Sequence, residues 1–292
     1  MAGFKIKEQL TATDKSIIGY LAITFILCFF LPEPSEQIKP LLFRLVAFTA
    51  IGIILFWDYK QQSSVSKFLH YFYPIVLLAY IYGETAQFNH LFFNTFFDPY
   101  LIHLDKLLVG VEPALLFAKT FPQLWLSETF YFAYFFFYLF SIGIPAIAYY
   151  HNKETAQKIL FIIINSYVLY YLFFILFPTE GPQFYYHYGD GISRGFFHNV
   201  IVLIQKYGES HTGAFPSSHV GMMTVFSWIA YKYIPKIFLL SLFFTLLISF
   251  ATVYIQAHYL VDVFGGYLSA IAAIYTSSKV YSFGLKKRFF SY

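Results

Sequence analysis

The stretch Gly213-Ala214-Phe215-Pro216-Ser217-Ser218-His219 opens one apolar run, and His258-Tyr259-Leu260-Val261-Asp262 closes the next. Residues 220–257 between them have the pattern of two membrane-length helices, joined by the turn Tyr231-Lys232-Tyr233-Ile234-Pro235-Lys236. A chain that crosses a membrane and returns brings both ends of such a hairpin to one side. The sequence therefore predicts that His219 and His258 meet at one membrane face.

The composition indicates a polytopic membrane protein. Hydrophobic residues make up 59% of the 292 positions and charged residues 12%, with a mean hydropathy of +0.61, which excludes an ordinary soluble domain. The only cysteine, Cys28, has no partner for a disulfide or a thiolate metal site. The net charge of +4 comes from basic residues scattered over short connections. No nucleic-acid partner is therefore predicted.

Eight apolar runs predict an all-α membrane bundle of about eight transmembrane helices, which we interpret as a single integral membrane domain over residues 1–292. Residues 1–83 hold the N-terminal spans, 84–123 an interfacial segment, and 124–292 the catalytic bundle. The first three spans could be an appendage to that bundle. The runs are 16–31, 41–57, 68–82, 124–150, 159–177, 220–233, 237–257 and 263–281.

Three details of the N-terminal half complete this prediction. The first run is interpreted as a retained span, because Pro32-Glu33-Pro34-Ser35 follows it where a signal peptide would have a cleavage site of small residues. Arg44 lies near the start of the second run, where its side chain is expected to snorkel to the headgroups. In residues 84–123 apolar and polar residues alternate at helical spacing, which predicts helices in the interface that form a rim or lid.

The basic residues predict the orientation of the bundle. Of the 19 Lys and Arg residues, thirteen fall on the side of the N-terminus, five on the other side, and Arg44 within a span. By the positive-inside rule both termini are cytoplasmic, and the loop 178–216 and the turn at His258 face away from the cytoplasm. The thirteen are Lys5, Lys7, Lys15, Lys60, Lys67, Lys153, Lys158, Lys232, Lys236, Lys279, Lys286, Lys287 and Arg288; the five are Lys39, Lys106, Lys119, Arg194 and Lys206.

The residues at the predicted meeting point suit phosphoryl chemistry. Pro216-Ser217-Ser218-His219 precedes a helix, whose first amides and positive dipole end favour an anion. His258 and Asp262 are four residues apart, so a carboxylate can hold one ring nitrogen and leave the other as a nucleophile or base. The alternatives are a capped helix with interfacial side chains, and a metal site of two histidines and a carboxylate. We expect no metal, because Asp262 is better used to orient His258 and no third strong ligand is evident.

At these residues the sequence resembles the type 2 phosphatidic acid phosphatase superfamily, which also includes vanadium haloperoxidases. Its Pro-Ser-x-His signature stands here as Pro216-Ser217-Ser218-His219, and the His-x3-Asp of its third signature as His258 and Asp262. The resemblance covers about the last two thirds of the chain. It implies a helical bundle and a phosphohistidine mechanism without a cofactor. In this mechanism His258 attacks phosphorus, Asp262 orients His258 and His219 protonates the leaving alkoxide, while Ser217 and Ser218 hold the phosphoryl oxygens.

The sequence departs from the superfamily at its cationic residues. The Arg of the third signature is Thr252, and the first signature, Lys-x6-Arg-Pro, is replaced by Phe177-Pro178-Thr179-Glu180-Gly181-Pro182-Gln183-Phe184. A phosphomonoester dianion needs more positive charge than a phosphodiester monoanion, so this loss favours a diester substrate. Gln183 in the replacement loop is a predicted substrate-binding residue. Arg194 is another, and the best of four loop residues that could replace a lost phosphate contact, the others being His187, Lys206 and His211. A solvated loop charge is the alternative for each of the four.

The motif His258-Tyr259-x-x-Asp262-Val263 resembles that of sphingomyelin and inositol phosphorylceramide synthases, and residues 97–113 resemble the latter branch more weakly. This resemblance implies transfer of a phospholipid headgroup to a lipid alcohol such as ceramide. Hydrolysis of phosphatidic acid or a polyprenyl diphosphate is the alternative. The expected partners are a lipid phosphoester and membrane lipids, with no obligate protein partner. A transporter is the non-enzymatic alternative, but of the span residues only Asn165 and Ser166 provide the midplane polar groups that it predicts.

Overall fold

The computed structural model describes residues 10–186, 189 and 191–289, without the side chains of Glu154 and residues 284–289. Lys5, Lys7 and His187 and the side chains of Lys286, Lys287 and Arg288, used in the predictions above, lie outside the described part. All regular structure in the described ranges is helical. The helices are α1 (Ala12–Cys28), α2 (Pro34–Gln61), α3 (Ser64–Glu84), α4 (Asp98–Val109), α5 (Pro113–Thr120), α6 (Leu124–His151), α7 (Lys153–Leu176), α8 (Pro182–Tyr185), α9 (Phe196–Gly208), α10 (Ser218–Tyr233), α11 (Phe238–Tyr254) and α12 (Leu260–Phe289).

Each of the eight predicted runs forms a helix, but six helical segments in the described ranges are long and apolar enough to cross a membrane. These six include α2, α3, α6, α7, α11 and α12. The other two are α1 with 17 residues and α10 with 16, both short of the ~20 residues that a complete span needs. The chain is therefore an all-helical, multi-pass membrane protein, for which the predicted count of eight complete spans is not confirmed.

Helix α10 lies in the middle of the bundle, where it packs against α6, α7, α11 and α12. Ten of its 16 residues are buried. A helix enclosed by protein does not have to dissolve in lipid, and this explains why α10 tolerates glycine, serine and threonine. Gly266 of α12 lets the two helices approach closely, because a Cβ atom there would lie 2.7 Å from the Ser217 carbonyl oxygen. This close approach places the start of α10 beside the start of α12.

Residues 84–123, predicted to be an interfacial segment, form the short helices α4 and α5, with 12 and 8 residues. Both are too short to cross a membrane. Helix α4 packs against α12 and α5 against α11. Asp98 and Asp105, both buried, face the bundle from α4. The segment therefore lies against the two helices that flank His258.

The three N-terminal helices share the core of the bundle. Helices α1 and α3 pack against α7, and one continuous hydrophobic cluster extends from Ile17 in α1 to Ala270 in α12. Asn165 of α7 accepts a hydrogen bond from Ser16 in α1 and donates one to Ser277 in α12. This polar residue of the spans is thus used in contacts between helices.

The predicted snorkelling of Arg44 is wrong. Its side chain is 1% exposed and forms an ion pair with Glu84 of α3, while its Nη1 also donates to the Pro40 carbonyl. The guanidinium lies over the ring of Phe88. An acidic partner on the neighbouring helix makes it favourable for the arginine to stay inside the bundle, since a buried cation is stable only when it is paired.

Candidate active site

The motif before α10 forms a capped helix start. The Ser217 hydroxyl accepts a hydrogen bond from the Val220 amide at 3.3 Å, and the Ser217 amide donates to the Asp262 carbonyl at 3.0 Å. Ser217 is fully buried and Ser218 is 7% exposed. The cap leaves His219 in the first turn of α10. Of the two serines predicted to bind the phosphoryl group, Ser217 thus uses its hydroxyl to cap the helix.

The structure brings His219 and His258 together, as the hairpin predicts. His219 Nδ1 lies 3.1 Å from His258 Nε2. The ring of His219 packs against Tyr134 and Phe137 of α6, with ring centroids 4.5 Å apart in both pairs. The two imidazoles meet edge to face, with ring centroids 5.4 Å apart, at the end of the bundle where α7 and α11 end and α10 and α12 begin.

The tautomer of His258 follows from its main-chain contact. His258 Nδ1 lies 2.7 Å from the Ala214 carbonyl oxygen, so Nδ1 carries the proton and donates it there. The lone pair of Nε2 then points at His219, whose Nδ1 is the donor in that contact. Burial lowers the pKa of His258 to about 4, more than the Ala214 carbonyl raises it. His258 is therefore neutral near pH 7, as a nucleophile has to be.

Asp262 lies beside His258, but its contacts differ from the expected pairing. Its Oδ2 is 3.5 Å from His258 Nδ1 and accepts a 2.8 Å hydrogen bond from the Tyr259 amide. Its Oδ1 is buried and has no hydrogen-bond partner among the described residues. The Nδ1–H group of His258 therefore donates to the Ala214 carbonyl, and Asp262 Oδ2 holds the first turn of α12 through the Tyr259 amide.

A narrow cavity of about 10 Å³ opens beside the two histidines. Glu180 and Glu209 contribute carboxylates to its wall, and no Lys or Arg is among the described residues that line it. Glu209 accepts hydrogen bonds from Tyr134, Gln183 and Gln205. The lining is Tyr82, Tyr134, Glu180, Gln183, Glu209, Thr212, Gly213, Ala214, His219, Ala257 and His258.

Of the other predicted binding residues, Gln183 lies at the cavity and Arg194 does not. Gln183 lines the cavity, and its amide nitrogen donates to Glu209 at 2.6 Å. Arg194 is exposed and is not among the lining residues, so no described contact makes it a phosphate ligand. Lys206 lies over the ring of Tyr207, and His211 contacts Glu180.

The position of the superfamily arginine is occupied by a fully buried threonine that shapes the turn before His258. The Thr252 carbonyl accepts hydrogen bonds from the Ala257 amide at 2.9 Å and from the His258 amide at 3.0 Å. Gln256 within this turn has a left-handed backbone, with φ of 62°. The turn that ends α11 thus fixes the backbone of His258 without a cation.

Two aspartates that sequence reasoning missed hold the site together from α4. Asp98 accepts hydrogen bonds from the Glu180 and Gly181 amides and from the Tyr259 hydroxyl. Asp105 accepts from the first amides of α12, those of Leu260 and Val261, at 3.0 and 2.8 Å. Asp98-Pro99 is a recognisable helix-start signal, but nothing local in the sequence shows that these carboxylates reach residues more than 80 positions away.

A family model matches more than half of the chain. Residues 99–276 match the family model of the PAP2 superfamily, and the matched segment contains both histidines, Asp262 and the interfacial helices. No curated protein and no solved structure matches the chain. Because the family model covers more than half of the chain, this membrane protein belongs to the PAP2 superfamily, and its function is of the lipid phosphatase or phosphotransferase type.

Proposed function

We propose that the protein transfers the phosphoryl headgroup of a phosphodiester lipid to a lipid alcohol, through a phosphohistidine at His258. The observation that carries this proposal is the 3.1 Å contact of two imidazoles, one of which has its Nδ1 proton held by a main-chain carbonyl. Such a pair supplies a neutral nucleophile and an acid–base partner on the same phosphorus atom.

In the first step His258 Nε2 attacks phosphorus and forms the N–P bond while the P–O bond to the diacylglycerol breaks. His219, which enters this step as the imidazolium, gives one proton to the leaving alkoxide and becomes neutral. In the second step the acceptor hydroxyl gives its proton to His219 and attacks phosphorus, and the N–P bond breaks. The two rings have to separate from their 3.1 Å contact, because the phosphorus atom takes a position between them.

The charge around the cavity favours a diester donor over a monoester. A phosphomonoester carries about two negative charges near pH 7 and a diester one. With two carboxylates in the wall and no lysine or arginine among the described lining residues, a dianion meets more repulsion than a monoanion. Glu180 and Glu209 therefore support transfer from a phosphodiester lipid.

The acceptor is proposed to be a ceramide-like alcohol. The support is the resemblance of His258-Tyr259-x-x-Asp262-Val263 and of residues 97–113 to the inositol phosphorylceramide synthase branch. In that stretch Asp98 and Asp105 make the contacts that join α4 to the site. Water as the acceptor would give a phosphatase, which is the alternative that the assay has to separate.

The test incubates the purified chain in detergent with phosphatidic acid, a polyprenyl diphosphate and phosphatidylinositol, each with and without ceramide. Transfer predicts a headgroup-modified ceramide from the diester and negligible phosphate from the other two. Free phosphate from phosphatidic acid or the diphosphate alone would overturn transfer in favour of hydrolysis.

The nucleophile is tested with His258→Ala, and exposed His90 provides the matched control His90→Ala. We expect His258→Ala to abolish turnover and the acid-labile phosphorylated form of the protein, and His90→Ala to retain both. A His258→Ala variant that still turns over, with unchanged expression and thermal unfolding, would exclude the assigned nucleophile.

We further propose that both termini are cytoplasmic and that the site faces the opposite side, as the lysine distribution supports. Cys28 is buried, so introduced cysteines can be labelled selectively. Two exposed positions are suited to cysteine substitution. Tyr207 is 79% exposed and lies near the site, and Gln61 is exposed at the other end of the bundle. An impermeant maleimide should label Tyr207→Cys in intact cells and Gln61→Cys only after permeabilisation. The reverse pattern would invert the topology.

A further inference from the structure

A second cavity lies at the end of the bundle opposite to the two histidines. This groove, of about 960 Å³, lies between the start of α7, the end of α10 and the second half of α12. Lys158, Trp228, Lys232 and Lys279 line it. Thirteen residues of α10 separate His219 from Lys232, or roughly 20 Å along the helix axis. The groove is therefore separate from the proposed reaction site.

The polar part of the groove is cationic. Lys158, Lys232 and Lys279 come from three different helices, and no Asp or Glu is among the described lining residues. Their contacts in the described part of the chain are with rings: Lys232 Nζ lies 5.0 Å from the Trp228 centroid and Lys279 Nζ 5.6 Å from that of Tyr275. No described carboxylate neutralises the three ammonium groups.

Two hydroxyls at this end have no hydrogen-bond partner among the residues that the structure describes. Ser278 is one of the residues that line the groove, and Tyr233 Oη belongs to the ring beneath Lys158 and Lys232. Both oxygen atoms are buried and unpaired among the described residues. Buried hydroxyls are nearly always hydrogen-bonded in proteins, so each indicates a polar group that completes the site.

The rest of the groove is apolar and continues onto the outer face of α12. Ile271 and Phe283 are more than 60% exposed, and Ile274 lines the groove between them. These side chains lie on a helix long and apolar enough to cross the membrane, which gives them acyl chains as natural neighbours. An inorganic phosphate would leave this wall uncovered.

We infer that this groove binds an anionic phospholipid, with the headgroup on Lys158, Lys232 and Lys279 and an acyl chain along Ile271, Ile274 and Phe283. The lysines supply the charge, Ser278 supplies a hydrogen bond to the headgroup, and the face of α12 supplies the apolar contact. The inference does not depend on the proposed reaction, because none of these residues belongs to the histidine site.

Trp228 provides the probe. In a full-length Trp57→Phe/Trp125→Phe background it is the sole tryptophan, as the chain contains three. Dibrominated phosphatidylglycerol and dibrominated phosphatidylcholine are compared as quenchers in mixed micelles at equal mole fraction. We expect the anionic lipid to quench at roughly tenfold lower mole fraction, since each lysine near the surface adds to its attraction. Soluble glycerol phosphate in excess should not relieve the quenching.

The decisive variant replaces Lys158, Lys232 and Lys279 with Gln. Its matched control replaces three exposed lysines at the same end of the bundle with Gln: Lys60, Lys67 and Lys153. The first variant should lose the stronger quenching by the anionic lipid, and the control should retain it. The circular dichroism of both variants should be unchanged. Equal quenching by the two lipids in the parent protein, or a preference that survives in the first variant, would overturn the inference. Relief by glycerol phosphate would do so as well, since it would show a site for free phosphate.

Discussion

At the scale of single residues, a main-chain oxygen decides the state of the proposed nucleophile. The Ala214 carbonyl accepts the hydrogen bond from His258 Nδ1–H, a role that the motif assigned to Asp262. Every residue has a main-chain carbonyl, so a sequence motif cannot mark this one as an acceptor, and 44 positions separate it from the histidine. The sequence could therefore identify His258 as a candidate but not the group that orients it.

Because Ala214 accepts the Nδ1–H hydrogen bond, Asp262→Asn tests what the Asp262 carboxylate contributes to activity. The amide oxygen of Asn can still accept the Tyr259 amide hydrogen bond, so the variant removes mainly a charge 3.5 Å from the ring. We expect turnover to fall by about 10- to 100-fold, with little change in thermal unfolding. The measurement is kcat/KM for headgroup transfer. An Asp262→Asn variant as inactive as His258→Ala would show that the charge itself is indispensable.

The burial of His258 predicts an unusual acid limb in the pH dependence of activity. With its pKa lowered to about 4, the ring stays unprotonated as the pH falls through 6.5 and becomes protonated near 4. The acid limb of kcat/KM that belongs to the nucleophile should therefore lie near pH 4. A limb near pH 6.5 would contradict the buried, neutral state.

The same depressed pKa predicts how stability changes with pH. Between pH 6.5 and about 4 the unfolded chain binds a proton at residue 258 that the folded chain does not bind. The contribution of His258 therefore makes the folded protein less stable as the pH falls through that window. Thermal unfolding of the parent protein and of His258→Gln should diverge there. Parallel curves would show that His258 does not titrate abnormally.

At the scale of elements, the interfacial helix α4 supports the site from outside the spans. Asp105 caps the first amides of α12, the helix that carries Asp262 in its first turn. Asp98 joins the loop after α7 to Tyr259. Helical spacing predicted such helices in residues 84–123, but the partners of the aspartates depend on how α4 packs against α12.

Asp105→Ala tests this support. Loss of both hydrogen bonds to the start of α12 should cost about 1–2 kcal/mol of folding free energy, and activity should fall because the Asp262 turn loosens. The neighbouring Lys106→Ala removes only a half-exposed ion pair with Glu112, and we expect it to change neither property measurably. Thermal unfolding and kcat/KM are measured for both. Equal effects of the two substitutions would mean that α4 has no specific role at the site.

At the scale of the whole molecule, the N-terminal helices reach the proposed reaction site. Asn89, just after α3, donates to the His211 carbonyl at 2.6 Å and accepts from the Thr212 hydroxyl at 3.0 Å. Thr212 lies two residues before Ala214, whose carbonyl orients His258. Tyr82 of α3 lines the cavity. The segment that follows α3 thus contacts the loop whose Ala214 carbonyl orients the proposed nucleophile.

Asn89→Ala should therefore affect catalysis from outside the matched family segment. The variant loses one buried and one partly buried hydrogen bond, each contributing about 0.5–1.5 kcal/mol, and it leaves the 211–214 loop without this contact. We expect kcat/KM to fall by about tenfold, with the exposed Asn94→Ala as the unaffected control. An active Asn89→Ala protein with parental unfolding would show that the loop does not need this contact.

The sequence alone determined the apolar helical segments and the end at which the candidate side chains lie, but it predicted a loop for residues 178–216, where the structure has α8 and α9. Runs of apolar residues have to form helices in a membrane, because the backbone finds no water there to bond with. A hairpin of such helices brings His219 and His258 to one end by connectivity. Tertiary structure decided the rest: the ion pair that buries Arg44, the aspartates of α4, the anchor at Asn89 and the carboxylates beside the histidines. These contacts join residues that are tens of positions apart, and no local pattern of residues specifies which of them become neighbours.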